Sequence, residues 1–142
     1  MQLAQVLERI PYLRPHSLAV SQDDRQVRVE MPLRPELTNH VGILHAGALY
    51  TAAETAAGVA AWGVVGGDRA FVLLRESTVR FTRRAETEVV ATASVDPEAA
   101  AAALATFDES GRADVVAEVV VADRDGEVVF RGSFDYALRP RR

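Results

Sequence analysis

Hydrophobic positions change their period several times along this chain, and each change marks an element. Leu3, Val6, Leu7 and Ile10 recur at helical spacing across Met1–Ile10, a short packing helix interrupted by charge. Gln26–Met31 alternates apolar and polar side chains, with Ser17–Gln22 before it as a hairpin partner. From Ala48 to Val65 nearly every position is apolar or small, the composition of a long helix hidden on most sides. Beyond it, the segments 69–82, 86–96, 112–123 and 127–138 are rich in valine, threonine and aromatic residues with partial period-two alternation, which predicts four strands. In the last of them Val128, Phe130, Gly132, Phe134, Tyr136 and Leu138 share the expected core face, and Val129, Arg131, Ser133, Asp135 and Ala137 share the wet one.

Turn and cap chemistry divides these segments. Asp96-Pro97-Glu98 opens an alanine run reaching Leu104, with Gly111 beyond it: an N-cap, a proline at the first helical position and a terminating glycine. This is expected to be a short structural helix inserted between strands. Asp123-Arg124-Asp125-Gly126 reads as a hairpin turn; a calcium loop would need further ligands and a terminal glutamate at fixed spacing. Strands therefore flank one long apolar helix on both sides in sequence. An antiparallel sheet of five or six strands, twisted around that central helix, hides it best, and this α+β outline is that of a hotdog fold.

Composition narrows the function. The chain has 142 residues, enough for one domain spanning 1–142 with its own core. Sixteen basic against twenty acidic residues give a net charge of −4, which argues against nucleic acid as a partner. With no cysteine, disulfides, thiolate nucleophiles and thiolate metal sites are excluded, and three histidines are a thin stock of metal ligands. No metal or cofactor is expected. The N-terminus lacks the apolar core of a signal peptide, and Glu54, Thr51, Thr55 and several glycines make 44–66 a poor membrane span, so a cytoplasmic protein is expected.

Glu54 is the anomaly. It is the only ionisable side chain between Ala48 and Val65, and a buried carboxylate needs a partner or a task. Were the helix to begin near His45, the nine residues to Glu54 would rotate it by about 900° and advance it by ~13.5 Å. One chain therefore cannot readily bring both ends of the motif to one carbonyl; two copies about a two-fold axis can.

The string Asn39-x5-His45-x-Gly47-x6-Glu54, followed by Phe81-Thr82-Arg83-Arg84-Ala85-Glu86-Thr87-Glu88-Val89, resembles the signature of hotdog acyl-CoA thioesterases of the phenylacetyl-CoA thioesterase type. That family usually has His-Gly-Gly where this chain has His45-Ala46-Gly47, and proline where it has Arg84. The resemblance implies an acyl-CoA or acyl-carrier thioester as substrate, a cofactor-free hydrolysis, and a site shared by two subunits of a homodimer, with a homotetramer as the larger assembly.

Roles follow by position. The Gly47 N–H, at the positive end of the helix dipole, would polarise the thioester carbonyl. Glu54 would be either nucleophile or general base. Asn39 would orient water or hold the glutamate, and His45 would hydrogen-bond the loop or the thioester oxygen. Thr82 or Arg83 would position the attacking water, and Arg80, Arg83 and Arg84 form a cluster suited to the nucleotide phosphates. Each residue also has a structural role open to it: Asn39 as a turn cap, His45 as a helix-start hydrogen bonder, Gly47 as a packing residue, Arg83 and Arg84 as solvated edge charges. Two other functions compete, a dehydratase pairing His40 with Glu54 and a non-catalytic acyl-thioester-binding or dimerisation module. No phosphate loop, serine elbow, zinc motif or dinucleotide fingerprint appears in the sequence.

Overall fold

A computed structural model describes residues 3–23 and 26–141. The elements in chain order are α1 (Leu3–Glu8), β1 (Ala19–Gln22), β2 (Val27–Met31), α2 (Ala46–Val64), β3 (Ala70–Phe81), β4 (Val89–Ser94), α3 (Pro97–Ser110), β5 (Ala113–Asp123) and β6 (Val128–Pro140), with short 3-10 turns at Pro11–His16 and Pro35–Leu37. The first helix, expected across Met1–Ile10, is shorter, and Met1 and Gln2 lie outside the described residues.

All six strands form one antiparallel sheet in the order β1-β2-β4-β5-β6-β3. One row of the inner face runs through the register Val20, Val29, Ala91, Val121, Phe130 and Phe81, from one edge of the sheet to the other. α2 lies across this face and touches β2, β3, β4, β5 and β6. Its Ala52, Ala53, Ala56 and Ala57 are fully buried, because a methyl side chain lets the helix backbone approach the sheet closely. The hotdog arrangement expected from the pattern is the one observed.

Local signals act as expected at α3: Asp96 accepts from the Ala99 N–H at 3.0 Å, Pro97 follows, and Gly111 closes the helix at φ 75° in the left-handed region. The helix runs on to Ser110, past the alanine run. In β6 the expected core face is inward. Val129 is also buried, contrary to its place on the wet face, because a bulge opposite Val121 and Ala122 re-aims it. Ala137 is buried as well.

Candidate active site

Two clusters of polar groups lie along α2. The first is at its start. His45 is the N-cap, and its Nδ1 accepts the Gly47 N–H at 2.8 Å. Accepting there places the proton of the neutral ring on Nε2. A Cβ at Gly47 would stand 3.1 Å from that Nδ1, so the glycine gives the imidazole room to fold over the helix end. The Ala48 and Leu49 N–H groups both turn back to the His45 carbonyl, at 2.9 and 3.1 Å. Of the first four helical amides, the Ala46 N–H is the one left without an acceptor among the described residues.

The loop before the helix is held by Asn39. Its Oδ1 accepts from the Val41 N–H at 2.9 Å and the Ile43 N–H at 3.4 Å, while its backbone N–H donates to the Ile43 carbonyl. Gly42, at φ 83°, makes the tight reversal. The turn-capping role open to Asn39 is thus the one its oxygen performs, and its side-chain amide donors project from a fixed loop. His40 is exposed in that turn, with no hydrogen bond to Glu54.

The segment after β3 joins the same end of the molecule, since the Leu44 N–H donates to the Ala85 carbonyl at 3.0 Å. Thr82 is absorbed by β6: its hydroxyl donates to the Val128 carbonyl and its N–H to the Val129 carbonyl, at 2.8 and 3.0 Å. Arg83 pairs with Glu127 at 2.9 Å. Arg84 is exposed without an ion pair among the described residues, and Arg80 sits in register beside Arg131, a like-charged cross-strand pair.

The second cluster is two turns further along α2. Glu54 is partly buried, and its partner is a hydroxyl rather than a cation. Tyr136, on the inner face of β6, donates to Oε1 of Glu54 at 3.1 Å and to the Glu54 carbonyl oxygen at 3.0 Å. Burial pushes the Glu54 carboxyl above its ordinary range, and the Tyr136 hydrogen bond opposes part of that rise. Burial, then the adjacent Glu54 charge, pushes the Tyr136 hydroxyl far up, so it remains a donor. These two groups line a cavity of about 510 Å³ whose walls are mostly apolar, with Arg9, Asp68 and Arg141 also on its lining.

Tyr136 is the residue that reading the sequence for chemistry passed over. A tyrosine at a core-face position must find a partner for its hydroxyl, and the facing helix carries a single carboxylate. The backbone N–H groups at the helix start were expected to be available, above all that of Gly47; the one left free among the described residues is that of Ala46.

Glu54 and the Ala46 N–H lie eight residues apart on one helix, ~12 Å along its axis. Each cluster is well formed; within one chain they do not converge on one atom.

Residues 2–138 match a protein family described as a domain of unknown function, DUF4442. The chain belongs to that family. Among solved structures, this DUF4442 protein is similar to a Pseudomonas aeruginosa protein of unknown function described as a probable thioesterase, at 26% identity over 99% of this chain and 97% of the other, with a TM-score of 0.79. A thioesterase family protein from Silicibacter pomeroyi has 24% identity over 97% and 96% of the two chains and a TM-score of 0.79. A mutant thioesterase from Pseudomonas aeruginosa has 19% identity over 99% and 96%, with a TM-score of 0.80. The last two show the shared fold. No curated protein sequence matches the chain. Among the described residues of the DUF4442 chain, no helix is long and apolar enough to cross a membrane, and no three metal-ligating side chains cluster.

Proposed function

We propose that this protein hydrolyses acyl thioesters at a site completed by two copies of the chain. The observation that carries the reading is the Glu54 carboxylate, hydrogen-bonded to Tyr136 on the lining of a mostly apolar cavity. A basic group with one oxygen held and the other free, beside space for an acyl chain, is what general-base attack on a thioester requires. The thioesterase descriptions of similar structures support the same chemistry.

In the proposed step Glu54 takes a proton from water as the water oxygen bonds to the thioester carbon. The oxyanion that forms is met by the Ala46 N–H at the helix start of the second copy, the free amide at the positive end of α2. This moves the role first expected of Gly47 one residue back, because the Gly47 N–H is engaged by His45. Collapse breaks the carbon–sulfur bond, and the thiolate recovers the proton from Glu54. Asn39, fixed in its loop, has amide donors free to hold the water or the substrate. Arg80 and Arg84 supply the positive charge suited to the phosphates of coenzyme A, while Arg83 acts through its pair with Glu127 to hold the strand end.

The second copy is inferred from the edge of the sheet. β3 is twelve residues long, ends the sheet, and exposes Phe71 (49%), Leu73 (57%) and Phe81 (47%). A long apolar edge of this kind is a template for pairing with another chain. Edge-to-edge pairing of two copies about a two-fold axis would bring each helix start toward the other helix.

The test is free-thiol release from a panel of short, medium, long-chain and aryl acyl-CoAs, comparing the wild-type chain with Glu54→Ala at matched dimer content. Loss of turnover by at least 100-fold is expected in the variant. Turnover on no substrate, or equal turnover in both proteins, would overturn the assignment and favour a binding module.

A further inference from the structure

The cavity beside Glu54 has a direction. Glu54, Gly58 and Trp62 are spaced by four along α2, so they form one stripe of the helix, and all three line the cavity. Val59, Val72 and Tyr136 add the side walls. Gly58, in the middle of the stripe, stands in the helix interior, away from Gly47 in the first turn and Gly63 in the last, where it costs helical stability relative to alanine. A Cβ there would meet nothing nearer than the Tyr136 hydroxyl at 3.5 Å, so steric crowding does not require the glycine; it leaves open space one turn beyond the carboxylate.

Trp62 stands at the other end of the stripe, with Asp68, Phe71 and Arg141 also on the cavity lining. The Trp62 indole packs against Gly67, where a Cβ would come within 3.0 Å of the ring, and the Gly67 N–H donates to the Trp62 carbonyl. The roof is the N-terminal segment, which contributes Leu7, Ile10 and Leu13. It is tied to α2 at the carboxylate end: the Thr51 hydroxyl donates to the Gly47 carbonyl at 2.9 Å, so at 3.3 Å from Thr51 it is Tyr12 that donates. No residue of α1 is fully buried; Leu3 and Leu7 are partly buried and pack against the core.

We infer that this cavity holds the acyl tail of a medium-chain thioester, carbonyl at Glu54 and methyl end at Trp62, and that Gly58 and Trp62 set the chain length accepted. This rests on the hydrolytic reading of Glu54. The two ends are eight residues apart, ~12 Å along the helix. An extended chain advances about 1.2 Å per bond, so the span fits an acyl group of about eight to twelve carbons. The cavity, open on one side, has a volume of about 510 Å³, within the range that takes a ligand of that bulk.

Trp62 is the only tryptophan of the chain, so its emission reports occupancy of the cavity without any turnover. The experiment titrates the wild-type protein with non-hydrolysable S-alkyl-CoA thioethers of four, ten and sixteen carbons and follows Trp62 fluorescence. The ten-carbon ligand is expected to shift the emission and to bind at least tenfold more tightly than the four-carbon one, and the sixteen-carbon ligand to gain nothing further. Gly58→Leu, which fills the middle of the stripe, is expected to lower the ten-carbon to four-carbon affinity ratio at least tenfold. Gly58→Ala, which fits the space present, gives a smaller change in the same direction and serves if leucine prevents folding. An emission blind to the ten-carbon ligand, affinity still climbing at sixteen carbons, or a ratio unchanged in both variants would overturn the inference. Because binding is read apart from hydrolysis, chain-length selection without turnover would sink the hydrolytic reading and leave the acyl pocket, and turnover without selection would do the reverse.

Discussion

The Tyr136 hydroxyl reaches Oε1 of Glu54 at 3.1 Å and the Glu54 carbonyl oxygen at 3.0 Å, so one side chain of β6 serves both the carboxylate and the helix backbone behind it. The pair gives the lone carboxyl of an otherwise apolar helix a hydrogen-bond partner. It also makes the carboxylate sensitive to its surroundings in ways that can be measured.

Glu54 has a folded-state pKa above its ordinary value of 4.5, chiefly because burial disfavours the charge. Above the folded pKa the group is charged in both states and the fold bears the whole desolvation cost; below 4.5 it is neutral in both and the cost vanishes. Between these limits the folded state binds more protons, so stability falls as pH rises. Glu54→Gln is therefore expected to be more stable than wild type at pH 8 by about 1 kcal/mol, with the gain disappearing toward pH 4. Urea denaturation of both proteins at the two pH values measures this, and a gain independent of pH would contradict it.

Turnover requires the ionised carboxylate, so the acid limb of the rate profile should lie above pH 4.5. Tyr136→Phe removes the hydrogen bond that opposes the rise, which moves that limb to still higher pH. The same variant should lose about 1 kcal/mol of stability, the usual scale for one hydrogen bond. A pH–rate profile for kcat/KM distinguishes this from a purely structural role, which would lower the rate without moving the limb.

Ala46→Pro offers a clean test of the backbone donor. Proline is favoured at the first helical position, and His45 already has φ −65° and ψ 143°, the conformation a residue before proline prefers. The substitution should leave α2 intact by circular dichroism while deleting the free N–H. A loss of 10²- to 10³-fold in kcat is expected, the scale for one oxyanion donor. Unchanged kcat would remove Ala46 from the mechanism.

Leu73→Lys places a charge on the exposed apolar edge of β3, where Leu73 is 57% exposed. Sedimentation equilibrium is expected to show monomer in place of dimer, with the fold retained and turnover reduced by at least 100-fold. A monomer as active as the wild-type protein would refute the shared site.

Much of the molecule was legible before folding. The alternation in β5 and β6, the apolar run of α2, and the Asp96–Pro97 start and Gly111 stop of α3 each depend on neighbours a few residues away, so sequence carried them. Val129 escaped the pattern because a bulge depends on the partner strand. Thr82 and Arg83 read as free polar groups at a strand end, yet β6 and Glu127 engage them, and those contacts join residues more than forty positions apart.

The same division holds at the site. The sequence by itself determined that a lone carboxylate sits mid-helix, nine residues past His45, and that this spacing separates it from the helix start along a rigid rod. Only the tertiary structure decided what answers that carboxylate: Tyr136, 82 residues away, brought beneath it by the pairing of β6 with β5 and β3. It likewise decided that His45 consumes the Gly47 amide and leaves Ala46 free. Periodicity records which way a side chain faces; which atom it meets there is fixed by the packing of elements distant in sequence.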